Sequence, residues 1–161
     1  MYLSLITDVF SRKIVGWALR KDLTHKGPEE ALLMALEQRK NQLALMHHSD
    51  RGIQYCCDNY IRLLKKNKVE ISMTQNGDPY ENALAERLHR TLKEEFLQYY
   101  VYANYEQTKE VVARAIHLYN RFRPHLSLKY LTPDQMYHDS ESQRKAIPQQ
   151  LQLFTSPKAD F

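Results

Sequence analysis

Asp50 and Glu86 are the residues of this chain best placed to do chemistry. Asp50 stands in His47-His48-Ser49-Asp50-Arg51-Gly52, and Glu86 closes Asn76-Gly77-Asp78-Pro79-Tyr80-Glu81-Asn82-Ala83-Leu84-Ala85-Glu86, with 35 residues between them. Two carboxylates so placed can share divalent cations beside a phosphodiester. Magnesium and manganese take hard oxygen ligands and keep waters where protein ligands are few. Two such ions about 4 Å apart can activate the attacking oxygen and stabilise the leaving one. The chemistry that follows is polynucleotidyl transfer, in which positioning and charge stabilisation do most of the catalysis. A site of this kind calls for a third carboxylate.

The elements that must hold this pair can be read from periodicity. Tyr2 to Thr7 is a strand-like apolar run, Asp8 to Arg12 a tight turn, and Lys13 to Leu19 a second strand, together a hairpin. Pro28 suits the first turn of a helix whose apolar stripe is Ala31, Leu32, Ala35 and Leu36. Leu43 to Met46 reads as a short strand that delivers His47 to Gly52 at its carboxyl end. Asn59 to Lys66 reads as a helix, and Val69, Ile71 and Met73 alternate as a half-buried strand. Asp78 as cap, Pro79 at the first helical position and Glu81 three residues after the cap open the next helix. On it Leu84, Leu88 and Leu92 face the core, while Glu86, Arg90 and Lys93 share another face. A last helix runs from about Glu106 to Phe122. This order predicts an α/β domain, a mixed sheet with helices on its faces.

Composition narrows the partners. The chain has 161 residues, enough for one ordinary domain with a real core, and is 43% hydrophobic and 26% charged. Its net charge of +4 and pI near 9.0 favour a polyanion, nucleic acid first. No apolar run approaches the roughly 20 residues of a membrane span and no leader precedes the fold, so a cytoplasmic protein is expected, nucleoid-associated when bound to DNA. Cys56 and Cys57 are adjacent, which suits neither a zinc site nor a disulfide framework.

Four blocks resemble one family. His48-Ser49-Asp50-Arg51-Gly52-Ile53-Gln54-Tyr55 and Glu81-Asn82-Ala83-Leu84-Ala85-Glu86 are similar to the second and third catalytic blocks of bacterial insertion-sequence transposases. These belong to the retroviral-integrase superfamily, with an RNase H-like fold and a DDE carboxylate triad. Asp8 to Trp17 resembles the family's hairpin, and Tyr119-Asn120-Arg121-Phe122-Arg123-Pro124-His125, with Leu126, Leu128, Thr132 and Pro133, its C-terminal signature. The resemblance covers about residues 2 to 138. It implies Asp50 and Glu86 as second and third catalytic acids and metal ligands, a two-metal Mg²⁺ or Mn²⁺ site, and DNA (element ends and target) as substrate.

The same resemblance defines a gap. The family's first catalytic Asp lies on a central strand preceding the hairpin, and no such strand is found here; the helix-turn-helix that recognises element ends is not found either. Asp8 matches the hairpin turn, where a turn-forming Asp is expected. The expected division is a partial RNase H-like core over 1–101, a C-terminal helix with the Tyr119–His125 block packed on it over 102–139, and a flexible tail over 140–161.

Cations near the acids add candidates for DNA contact: Arg51, Arg90, Lys93, Arg121, Arg123 and His125. Plainer roles stand beside these. Arg51 can pair with a nearby acid, Arg90 with Glu86 or Glu94, and Arg121, Arg123 and His125 can cap the last helix. Tyr99, Tyr100, Tyr102 and Tyr105 suit packing better than base stacking, and His47 and His48 suit polar strand-end positions better than metal ligation. Two functions follow. One is DNA transposition and integration, with loss of a carboxylate lowering the rate on the order of 10³-fold or more. The other is a catalytically silent remnant that binds DNA or pairs with a full-length transposase or another copy. An RNase H-like nuclease acting on RNA–DNA substrates is disfavoured by the Arg-Pro-His block.

Overall fold

A computed structural model describes residues 1–39, 44–73, 83–100, 104–144 and 151–157, with backbone alone from 140 onward. Strands β1 (Tyr2–Asp8) and β2 (Ile14–Arg20) form the expected antiparallel hairpin. They are followed by helix α1 (Lys26–Glu37), strand β3 (Leu45–Ser49), a short helix α2 (Ile53–Cys56), helix α3 (Asp58–Lys66) and strand β4 (Val69–Met73). Helix α4 (Ala83–Thr91) runs into a π-helical turn over Leu92–Leu97, and α5 (Tyr105–Phe122), α6 (Pro133–Arg144) and strand β5 (Leu151–Pro157) complete the order. The expected cap at Asp78, Pro79 and Glu81 lies outside the described residues.

The five strands lie in the order β2-β1-β5-β3-β4. Helices cover both faces. Ile6, Val15, Leu32, Tyr55, Tyr60 and Leu64 make the core under α1 and α3, while Leu3, Leu5, Leu88, Leu92, Val112 and Ile116 make the core under α4 and α5. Leu3 and Leu5 face one layer and Ile6 the other, as strand alternation requires. Gly16 lets α1 sit directly on β2, since a Cβ there would meet the Ala31 carbonyl oxygen at 2.0 Å. Leu88, Leu92 and Leu97 are all buried; the π turn rotates Leu97 back to the core, which four-residue spacing would not do.

The C-terminal segment departs from expectation. Residues 133–144 continue as α6, and 151–157 enter the sheet instead of forming a flexible tail. β5 pairs antiparallel with β1 (Ile6 opposite Thr155) and parallel with β3 (His47 opposite Leu153). The physical reason is backbone satisfaction: β1 and β3 present facing edges, and β5 supplies both with hydrogen-bond partners. It fills the central position where a first catalytic strand was expected, and Leu-Gln-Leu-Phe-Thr-Ser-Pro contains no carboxylate.

Candidate active site

Asp50 follows β3 directly, so a core strand fixes its backbone. Its Oδ1 accepts a 2.8 Å hydrogen bond from the Gly52 amide, which turns the chain toward α2. A Cβ at Gly52 would stand 2.8 Å from that oxygen, so glycine is needed for the carboxylate to sit there. Oδ2 has no partner among the described residues. Behind it the histidines are structural. His47 is fully buried, 2.9 Å from the Tyr60 hydroxyl and packed against Tyr55 and Tyr60. Burial, with His48 adjacent, lowers its pKa to about 4, leaving a neutral core residue. His48 Nδ1 lies 2.9 Å from the Ser72 hydroxyl.

Glu86 stands exposed on the first turn of α4 as described, and Arg90 and Lys93 are exposed with it. No ion pair joins Glu86 to Arg90 among the described residues, so both keep free head groups. α4 packs beside β5, and β5 lies next to β3. The two acids therefore flank the same strand, one from the sheet and one from the helix layer.

Asp8 does not complete the set. It is 1% exposed at the hairpin turn, where its Oδ2 accepts from the Ser11 amide at 3.1 Å and the Ser11 hydroxyl at 2.5 Å. Through β5 it is level with His47, three residues before Asp50. No group of three or more His, Cys, Asp or Glu side chains among the described residues is arranged to hold a metal ion.

The C-terminal cations divide. Arg123 makes a bidentate pair with Glu95, at 2.6 Å and 2.5 Å, which spends its charge inside the protein. Its guanidinium pKa is raised by that hydrogen bond, and the Glu95 carboxyl is lowered by the same contact. His125 packs edge-on against Tyr119, and burial with Arg123 and Arg12 nearby lowers its pKa to about 4, so it carries no charge at neutral pH. Arg121 is exposed, its guanidinium over Phe122, and Arg51 is exposed beside Asp50. Tyr105 is partly buried, packs against the core and donates to the Leu19 carbonyl at 2.7 Å, whereas Tyr99 and Tyr100 are exposed and Tyr102 lies outside the described residues. Sequence reasoning missed Arg12 and Arg87, which line a common cleft; the only signal was that Arg12 lies in the hairpin block and Arg87 follows Glu86 directly.

The integrase core domain family matches residues 1–79, and again residues 67–133. The chain belongs to the integrase core domain family. It is 36% identical over 134 residues to the insertion element IS600 uncharacterized 31 kDa protein of Shigella sonnei, covering 83% of this chain and 49% of that protein. It is 34% identical to the transposase for insertion sequence element IS904 of Lactococcus lactis, covering 83% and 53%. The chain thus spans about half the length of the curated relatives it matches. In fold it is similar to the catalytic core domain of BIV integrase, with TM-score 0.67, 18% identity and 89% of each chain covered. The HTLV-2 integrase catalytic core in complex with magnesium gives TM-score 0.65 at 17% identity, with 85% of each covered. This integrase core therefore has the RNase H-like fold expected of it, with β5 in the centre of its sheet.

Proposed function

We propose that this integrase core serves DNA transposition and integration, as the catalytic-core portion of an insertion-sequence DDE transposase that transfers polynucleotide strands with Mg²⁺ or Mn²⁺. One observation carries the reading: a carboxylate held at the end of β3 and another free on α4 flank the same central strand. Asp50 offers Oδ2 while Gly52 holds Oδ1, and Glu86 is exposed and unpaired among the described residues, so both fit as hard-oxygen ligands. A bound divalent ion supplies Lewis-acid polarisation and neutralises charge on the phosphodiester. Asp50 and Glu86 hold and orient it, and Arg90, Lys93 and Arg51 draw the DNA backbone to the site. Arg121 extends that surface, while Arg123 and His125 shape it without adding a free cation. The protein works in the cytoplasm on DNA, with a second copy or a full-length transposase as protein partner.

A second reading has its own support. Asp8 is committed to Ser11 and sits level with His47, so the described residues offer two carboxylates and not three. On this reading the chain alone binds DNA or a transposase partner and does not cleave. The deciding experiment is nicking and strand transfer on supercoiled plasmid with manganese, beside Asp50→Asn and Glu86→Gln, with circular dichroism to show all three folded. Activity lost in both variants supports catalysis, the third ligand coming from outside the described residues. Silence from folded wild-type protein sinks catalysis by the chain alone and leaves the binding reading.

A further inference from the structure

Beside α4 the molecule has a cleft of about 650 Å³ walled by the hairpin turn, α4 and the loop after α5. That is within the size range of a small-ligand pocket. Arg12 enters from the turn and Arg87 from α4. Neither has an ion pair among the described residues; the nearby acids are engaged, Glu95 with Arg123 and Asp8 with Ser11. Burial lowers the Arg12 pKa; Tyr119 and Asp8 offset part of that cost and the Arg87 charge adds to it, so an anion between the two arginines would favour the charged form. Thr7 is 2% exposed, lines the same cleft, and its hydroxyl has no hydrogen-bond partner among the described residues.

The rim is apolar. Leu126 and Tyr130 are 75% and 71% exposed at the mouth. Tyr130 and its neighbour Lys129 hold positive φ values of 64° and 54°, and Arg12 across the cleft holds 64°. Left-handed backbone at non-glycine residues is costly and persists where the surroundings over-determine it, which is common at ligand clamps. Here the ring of bonds from His125 N to Leu131 O (3.1 Å), Tyr130 N to His125 O (2.9 Å) and Leu131 N to Leu128 O (3.1 Å) does so.

We infer that this cleft binds single-stranded DNA, seating one backbone phosphate between Arg12 and Arg87 with the Thr7 hydroxyl donating to it and the attached base lying on Tyr130. Cations for the backbone and an exposed aromatic for the base are the pairing that single strands require. Arg87 follows Glu86 by about 100° around α4, so the cleft adjoins the helix that bears the carboxylate. The inference rests on the proposed function, since it names the form of DNA that site receives.

The test is fluorescence anisotropy with a labelled oligothymidylate and a duplex of equal length, across a salt series. Arg87 is on an exposed helix face, so Arg87→Gln is the variant expected to fold; Arg12→Gln and Tyr130→Ala accompany it. Each should weaken single-strand binding about tenfold. Each arginine change should also lower the slope of log K against log salt by about 0.7. Binding by the wild type with unchanged affinity and slope in Arg87→Gln overturns the cleft and leaves the DNA reading standing. Equal losses on the duplex overturn the single-strand assignment. No binding of either DNA by wild type overturns both.

Discussion

Asn120 holds the backbone of Ile14 at both of its polar groups. Its Oδ1 accepts from the Ile14 amide at 2.9 Å and its Nδ2 donates to the Ile14 carbonyl at 3.0 Å. One residue earlier, the Tyr119 hydroxyl donates to the Arg12 carbonyl at 3.2 Å. The end of α5 is thereby locked to the hairpin, and the loop that follows is aimed at the cleft. The Tyr-Asn pair in the C-terminal block is structural for this reason.

Asn120→Ala should leave two buried backbone groups without partners. Each costs about 1–3 kcal/mol, so a loss of roughly 2–6 kcal/mol is expected. Urea unfolding should show a lower midpoint at unchanged slope; a variant within 0.5 kcal/mol of wild type would mean water replaces the amide.

Gly16→Ala tests the contact between α1 and β2. The neighbour is the Ala31 carbonyl, which is backbone and cannot swing away. The helix must lift, at about 3 kcal/mol or more. A clear fall in melting temperature is expected, and an unchanged one would rule out the close packing.

His47 makes stability depend on pH. Its folded pKa of about 4 lies below the ordinary value of 6.5. The unfolded chain therefore binds more protons between pH 4 and 6.5, and stability falls as pH drops through that window. For this fully buried group the loss is about 3 kcal/mol. His125 shifts in the same direction and adds to the trend. Urea midpoints between pH 7.5 and 4.5 should show the decline, and His47→Gln should flatten it relative to wild type. Parallel curves for the two proteins would discard His47 as the source.

Removal of residues 145–161 should expose the facing edges of β1 and β3. Amide exchange at Leu5, Ile6, His47 and His48 is expected to accelerate strongly in such a variant, with a tendency to associate. Unchanged protection there would show that β5 does not pair with these strands.

Much of the framework is written locally. The β1–β2 hairpin, the stripe of Leu84, Leu88 and Leu92, and Asp8 as a turn residue all follow from spacing within a few residues. Asp50 and Glu86 stand out as candidates because their blocks are distinctive. What escaped depends on distant partners. α6 carries only Met136 and Tyr137 as large apolar side chains, and Lys13 ties it down by pairing with Asp134 at 2.9 Å and lying over the Tyr137 ring. Arg12 and Arg87 gain meaning only when the hairpin turn folds onto α4. Arg123 looked free until Glu95, on the other side of a helix break, met it.

The place of β5 also sets an order of events. Its partners are made early and its own residues late, so during synthesis β1 and β3 wait for a segment some 150 positions downstream of β1. The hairpin and its helix can form first from local contacts, while the middle of the sheet is the last part to close. Such sequence-distant closure slows folding and prolongs the interval in which incomplete chains can pair with each other. Refolding yield should therefore fall with protein concentration more steeply than for a domain whose central strand is made first.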